Sequence, residues 1–215
     1  MTAGAERKAT VFTDTGERPW RSAQLSGGAE YSAAYDEMTE ALGDFLDRLA
    51  EAKPDQALVE TLAADLAGWA RKLDPLAVGE RDRVFGRRTD LASRGQTMSP
   101  TIEISELTDD SATGTVRFGP YFLGGNGAAH GGALPLMFDE ILGRLANSGG
   151  RPAQRTAYLH TDFRSITPIA RTLRLHAWLV SEEGRKRILR ATLHDGETLC
   201  AEAEGLFVAL RPEQP

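Results

Sequence analysis

The stretch that decides the fold runs from residue 124 to residue 146 and reads Gly124-Gly-Asn-Gly-Ala-Ala-His-Gly-Gly-Ala-Leu-Pro-Leu-Met-Phe-Asp-Glu-Ile-Leu-Gly-Arg-Leu-Ala146. A glycine-rich turn leads into a run that is apolar on nearly every side, which predicts a mostly buried helix from about Gly131. Glycines allow backbone N–H groups to approach a ligand closely, and the N–H groups at a helix start are unpaired and partly positive. Such a turn can bind a phosphate or the oxyanion that develops on a carbonyl under attack.

Two carboxylates, Asp139 and Glu140, interrupt the apolar run. A carboxylate among apolar side chains is costly unless it is paired or used, so Asp139 is the first candidate for a catalytic residue. Glu140 lies about 100° further around the helix, and we expect it at a solvated edge or beside an arginine such as Arg144. His130 could cap the glycine turn, but its spacing from Asp139 favours a role in the site.

The residues around this stretch have the texture of strands. Alternation and turn signals predict two strands before the helix, at 101–107 and 112–118, and four strands after it in antiparallel series. Those four are expected at 153–164, 173–180, 186–193 and 197–210, with Asp195-Gly196 as a hairpin turn. One long helix against an antiparallel sheet makes residues 99–211 an α+β domain.

The residues before this domain divide into three segments. A polar, flexible arm is expected over 1–28, a helical hairpin with one apolar side over 29–75, and a charged connector over 76–98. The hairpin could in principle read DNA, but residues 30–65 contain ten acidic residues and only Arg48 and Lys53 as basic ones. Phosphates would repel such a helix pair, so we expect it to cover the main domain or a partner subunit.

Composition narrows the class of protein further. The chain has 215 residues, 41% of them hydrophobic, and a formal net charge of −6, which predicts a real core and no nucleic-acid partner. The single cysteine, Cys200, excludes an intrachain disulfide, and the remaining histidines lack metal-ligand spacing, so no metal site is expected. The first residues lack the apolar core of a signal peptide, and no apolar run reaches bilayer length. These features predict a soluble cytoplasmic protein without a membrane partner.

The segment His130-Gly131-Gly132, followed after six residues by Asp139, lies between a predicted strand pair and a run of antiparallel strands. This arrangement resembles the hotdog-fold thioesterases, in particular their PaaI-like branch. The later segment from Thr156 to Pro168, with Phe163-Arg164 inside it, resembles the strand that follows the helix in that branch. The resemblance covers about residues 98–210 and leaves the helical hairpin outside.

The resemblance implies hydrolysis of acyl-CoA thioesters without a cofactor. By the family pattern, Asp139 acts as general base or nucleophile, and the Gly131 N–H binds the carbonyl oxygen. His130 helps to orient that oxygen or the turn, and Thr156 positions the water or Asp139. The same pattern suggests four residues as substrate contacts: Asn126, Gly132, Phe138 and Arg164. One departure from the pattern is Gly124, because relatives often have Asn or Gln there; Asn126 follows two positions later.

Helix geometry alone suggests that two chains build the site. From a start near Gly131, Asp139 lies about 12 Å along the axis, so its carboxylate cannot reach a carbonyl bound at that same helix start. A site that uses both residues takes Gly131 from one chain and Asp139 from another, which is also how hotdog relatives build theirs. We therefore expect a homodimer, with pairing of dimers as a further option.

Two other functions remain open at this point. One is a hotdog dehydratase or hydratase acting on acyl thioesters, although that chemistry needs a His/Asp or His/Glu pair at the acyl β-carbon, and His130 on the turn fits it less well. The other is a non-catalytic acyl-CoA sensor with the helical hairpin as its output element.

Overall fold

The computed structural model describes residues 28–211, and these fall into two compact units that meet between residues 97 and 98. The polar arm predicted over 1–28 lies outside the described residues, except for Gly28, which begins the first helix.

The N-terminal unit holds the two predicted helices, α1 (Gly28–Glu51) and α2 (Gln56–Leu73). Asp55 caps α2, and its carboxylate accepts a hydrogen bond from the Leu58 N–H at 2.9 Å. None of the residues of α2 is buried. Its predicted apolar stripe is present but exposed, with Trp69 at 61%. No helix in the described part of the chain is long and apolar enough to cross a bilayer.

The predicted connector groups with the helical unit and consists of turns and short 3₁₀ segments. Several of its arginines form ion pairs with carboxylates of the same unit, as expected of a segment with a structural role. Arg88 is buried and pairs with the Asp90 carboxylate through two bonds of 2.8 and 2.6 Å. Arg87 pairs with Glu80 at 3.1 Å.

The second unit confirms the α+β prediction, with one helix, α3 (Ala133–Ala146), and a six-stranded antiparallel sheet. The strands of the sheet, which follow the predicted positions closely, are β1 (Ile102–Leu107), β2 (Ser111–Arg117), β5 (Gln154–Phe163), β6 (Thr172–Glu183), β7 (Lys186–Asp195) and β8 (Thr198–Ala209). A separate two-stranded ribbon, β3 (Leu123–Gly125) with β4 (Ala128–Ala129), precedes α3.

The order of strands differs from the predicted antiparallel series. The sheet runs β1-β2-β6-β7-β8-β5, so β5 pairs with β8 at one edge and β6 pairs with β2. After β5, at one edge of the sheet, the chain crosses to β6, which lies beside β2. Strands β6, β7 and β8 then form a meander that ends next to β5. Strand signals in the sequence are local and do not specify which strand pairs with which.

The core lies between α3 and the inner face of the sheet. Side chains at helical spacing on α3, including Leu134, Met137, Phe138 and Ile141, are fully buried against apolar residues of the strands. Gly205 on β8 allows this close approach, because an added Cβ there would lie 2.8 Å from the Phe207 ring and 3.2 Å from Leu142. The sheet thus fixes the position of α3 and of everything attached to its ends.

A buried arginine anchors the C-terminal end of α3. The Arg187 side chain on β7 is 4% exposed and donates hydrogen bonds to the Ala146 carbonyl and to Glu182, the latter at 2.6 Å. Arg187 lowers the pKa of the Glu182 carboxyl by this hydrogen bond. A cation is favourable at the carbonyl end of a helix, so this contact holds the helix against the sheet.

Candidate active site

The glycine-rich turn before α3 is a short hairpin with its own hydrogen bonds. Asn126 and Gly127 form its two-residue tip, and both have positive φ (49° and 74°), as a type I′ turn requires. The Asn-Gly pair is thus a hairpin signal in the sequence, in addition to the glycine-rich turn predicted there. Asn126 is exposed at the tip.

Backbone hydrogen bonds tie this hairpin to the segment after β5. The Ala129 N–H donates to the Thr167 carbonyl at 2.8 Å, and the Ile169 N–H donates to the Gly127 carbonyl at 3.0 Å. The His130 N–H donates to the Phe122 carbonyl at 2.7 Å. Because three backbone contacts hold the hairpin from two sides, the residues that follow it enter α3 from a fixed direction.

His130 caps the start of α3 with its ring. Its Nδ1 atom accepts a hydrogen bond from the Gly132 N–H at 3.0 Å. The neutral ring then carries its proton on Nε2, which has no hydrogen-bond partner among residues 28–211. This contact is the structural cap that the sequence analysis considered for His130, and it occupies the Gly132 donor.

Gly131 is left as the open donor of the turn. Its N–H has no hydrogen-bond partner in the described part of the chain, and the residue is exposed. An added Cβ on Gly131 would meet only the ring of Phe163, at 3.8 Å. An unpaired, exposed N–H next to the start of a helix is a favourable place for an anionic oxygen.

Asp139 lies on the exposed side of α3 and is held by Thr156. The Thr156 hydroxyl, on β5, donates to the Asp139 carboxylate at 2.8 Å. The expectation that the apolar run buries Asp139 is wrong for the single chain, since the residue is exposed. Glu140 binds Arg144 at 2.7 Å, as predicted.

The exposed side of α3 forms one continuous stripe. Gly132 just before α3, Leu136, Asp139 and the half-buried Gly143 follow one another at spacings of three and four. Leu136 is 41% exposed, whereas the next residues, Met137 and Phe138, are fully buried. At the rise of an α-helix, Asp139 lies about 9 Å along the axis from Ala133, the first residue of α3, and Gly131 lies in the turn before that residue.

Two of the residues predicted as substrate contacts have other surroundings. Phe138 is completely buried in the core, so it can affect a ligand only through the packing of α3. Arg164 is partly exposed, but its guanidinium binds Glu202 at 2.7 Å and Asp162 at 3.1 Å. The hydrogen bond that Arg164 donates to Glu202 raises the pKa of Arg164, so the charge is kept and compensated.

One helix wrapped by an antiparallel sheet, with a glycine turn at the helix start, is the hotdog fold. A family model described as the thioesterase superfamily matches residues 126–204. A crystal structure of a thioesterase superfamily protein matches with a TM-score of 0.68 and 28% identity, over 81% of this chain and 94% of that one. The C-terminal unit extends over little more than half of the chain, so this match reaches into the N-terminal helices as well.

Sequence relatives agree with this assignment. Acyl-coenzyme A thioesterase THEM4 of Bos taurus is 39% identical over 98 residues, which are 45% of this chain and 40% of that protein. THEM4 of Mus musculus is 33% identical over 99 residues, 45% of this chain and 42% of that protein. The chain thus spans less than half the length of these curated relatives. Residues 126–204 thus match the thioesterase superfamily, and the second unit has the hotdog fold.

Proposed function

We propose that this protein hydrolyses acyl-CoA thioesters to the free acid and CoA. The observation that carries the proposal is the combination of an open Gly131 N–H in the turn before α3 and a Thr156-bound Asp139 carboxylate on the exposed side of α3. A thioester is already activated, so one positioned carboxylate and one backbone donor are a plausible minimum for its hydrolysis. The curated relatives are named acyl-coenzyme A thioesterases, which supports the same reaction class.

In the proposed reaction, the Gly131 N–H binds the oxygen of the thioester carbonyl and stabilises the negative charge that develops on it. Asp139 either accepts a proton from the attacking water or attacks the carbonyl carbon itself. The bond between carbon and sulfur then breaks, and CoA leaves as a thiolate that takes up a proton. Where Asp139 is the nucleophile, water then hydrolyses the acyl–Asp139 anhydride, which releases the acid and restores the carboxylate. Thr156 is a positioning residue, because its hydroxyl fixes one oxygen of the Asp139 carboxylate.

We further propose that each site is built by two chains. Antiparallel packing of two α3 helices through their exposed stripes would bring Gly131 of one chain opposite Asp139 of the other. Two of the four stripe positions, Gly132 and Gly143, are glycines, which allow such a close approach. We propose that the protein is a homodimer, and two such dimers could pair further.

Assignment to the PaaI-like branch is part of the proposal, and the turn shows how this chain differs from the family pattern. Where relatives often have Asn or Gln, an added Cβ on Gly124 would lie 2.8 Å from the backbone Cα of His130. Such contacts do not occur, so a side chain at 124 needs a shift of the backbone. A polar contact to the carbonyl would instead come from Asn126, whose exposed side chain lies at the hairpin tip.

The direct test measures free thiol released from a panel of acyl-CoAs by the wild type and by Asp139→Asn. We expect turnover by the wild type and a loss of orders of magnitude in the variant, because the carboxylate is the only proposed base or nucleophile. Asp139 is exposed in the single chain, so the variant should keep its fold by circular dichroism. Glu140→Gln is the matched control and should keep most of the activity.

Two outcomes would redirect the proposal. Hydration or dehydration of an enoyl or hydroxyacyl thioester without thiol release would favour the dehydratase class. Tight binding of acyl-CoA without turnover of any thioester would favour the sensor.

A further inference from the structure

The aromatic ring of Phe163 lies exposed beside the open donor of the turn. Phe163 is the last residue of β5 and is 57% exposed, whereas Ala201, its partner across β8, is completely buried. Side chains of directly paired residues share one face of a sheet, so the ring is on the inner face, where α3 lies. Its Cε1 and Cζ atoms are 3.8 Å from the position that a Cβ on Gly131 would occupy.

The backbone around Phe163 is held in place. The N–H groups of Arg164 and Ser165 both donate to the Cys200 carbonyl, at 2.8 and 3.0 Å. A few residues further on, the Thr167 carbonyl accepts from the Ala129 N–H of the glycine hairpin. The ring therefore extends from a fixed backbone next to Gly131, which is what discrimination between ligands requires.

We propose that Phe163 contacts the acyl group of the substrate and determines which acyl groups are accepted. This inference rests on the proposed thioesterase function and deepens it. An oxygen that accepts a hydrogen bond from Gly131 lies about 2.9 Å from its nitrogen, and the ring lies 3.8 Å from the Cβ position of the same residue, so a thioester bound there lies beside the ring.

Two arms extend from that carbon, the acyl group and the pantetheine of CoA, and the chemistry near the ring favours the acyl group. The ring is apolar, and an apolar surface gains most by covering apolar atoms, whereas pantetheine carries amides that need hydrogen bonds. The adjacent cation, Arg164, is already compensated by Asp162 and Glu202 and does not offer a free charge to the phosphates of CoA.

The test compares Phe163→Ala and Phe163→Leu with the wild type on acetyl-, hexanoyl- and phenylacetyl-CoA. We expect Phe163→Ala to lower kcat/KM at least about tenfold more for the two larger substrates than for acetyl-CoA, since a single methylene contact in an apolar pocket has effects of this size. Phe163→Leu should restore part of the loss because it restores apolar contact. Val180→Ala, which shortens another exposed apolar side chain, on β6, should change none of these ratios.

A second measurement separates this inference from the proposed function. Binding of the corresponding thioether analogues, which cannot be hydrolysed, is measured by calorimetry for the same variants. A loss of affinity in Phe163→Ala that grows with the acyl group supports the inference even if the wild type hydrolyses no thioester. An equal loss for all acyl groups, or no loss, overturns the inference while leaving thioester hydrolysis intact. Failure of the wild type to bind any analogue overturns both.

Discussion

Mixing two inactive variants tests the two-chain site directly. Asp139→Asn removes the carboxylate, and Gly131→Pro removes the open N–H. Asp139 lies about 9 Å along the axis from Ala133, the first residue of α3, and Gly131 lies in the turn before it, so the proposal predicts that neither variant is active by itself. In a heterodimer of the two variants, one site combines the intact Gly131 of the first chain with the intact Asp139 of the second.

The expected size of the rescue follows from this geometry. Random exchange of subunits makes half of the dimers mixed, and half of the sites in a mixed dimer are intact, so activity should recover to about a quarter of the wild-type value. The assay is thiol release after the two proteins are unfolded and refolded together, with each variant refolded alone as a baseline. Gly131→Ala is the matched control, because it keeps the N–H and its added Cβ would meet only Phe163, at 3.8 Å.

No recovery in the mixture, with mixed dimers demonstrated by mass spectrometry of differently tagged chains, would refute the two-chain site. If Gly131→Pro does not fold, Gly131→Val replaces it in the mixture. The valine retains the N–H, but its side chain fills the space before Phe163.

Two further predictions concern contacts around α3. Thr156→Val should lower kcat by about 10- to 150-fold, since a hydrogen bond to a charged group contributes about 1.5–3 kcal/mol, whereas Thr156→Ser should retain most activity; equal loss in both variants, with folding intact, would contradict the positioning role. The pKa of Glu182 is lowered by Arg187, so its contribution to stability is present above the unfolded pKa of the carboxyl and disappears as pH falls through the lower folded value. Urea unfolding at pH 7 and at pH 3 should therefore show a smaller difference in Glu182→Gln than in the wild type, and an unchanged difference would count against this ion pair.

Most of the fold is encoded in local patterns of the sequence. Helix α3 and the strands of the sheet were predicted within a few residues because apolar periodicity and turn residues act over short distances. The pairing of β5 with β8 was not predicted, because the choice of partner depends on how α3 crosses the sheet. Alternating residues on β5 look the same in sequence whether the next strand lies beside it or on the far side of the sheet.

The candidate site, like the fold, could be predicted from the sequence only in part. The sequence predicted that His130 and Gly131 lie at a turn before the helix and that Asp139 lies on it, and the structure adds which donors of the turn are free and which are used. Gly132 is occupied by His130, whereas Gly131 is open, and no sequence pattern distinguishes these two neighbouring glycines. Phe163 was missed because an aromatic residue at an inward position of a strand is typical of the core; only the end of β5 and the adjacent glycine turn leave its ring exposed.

The exposure of α3 in the single chain differs from what its sequence predicts, and the difference lies along the exposed stripe. By sequence, α3 is apolar on nearly all sides, as expected of a helix that is covered all around. In the single chain one side remains uncovered, with Leu136 41% exposed and Asp139 exposed in the same stripe. A second copy packed on that stripe would remove Leu136 from water and surround Asp139 with apolar atoms and one open N–H. The cost of burying the Asp139 carboxylate would then arise only in the assembled site. There, Thr156 would hold the carboxylate and a substrate carbonyl would lie beside it.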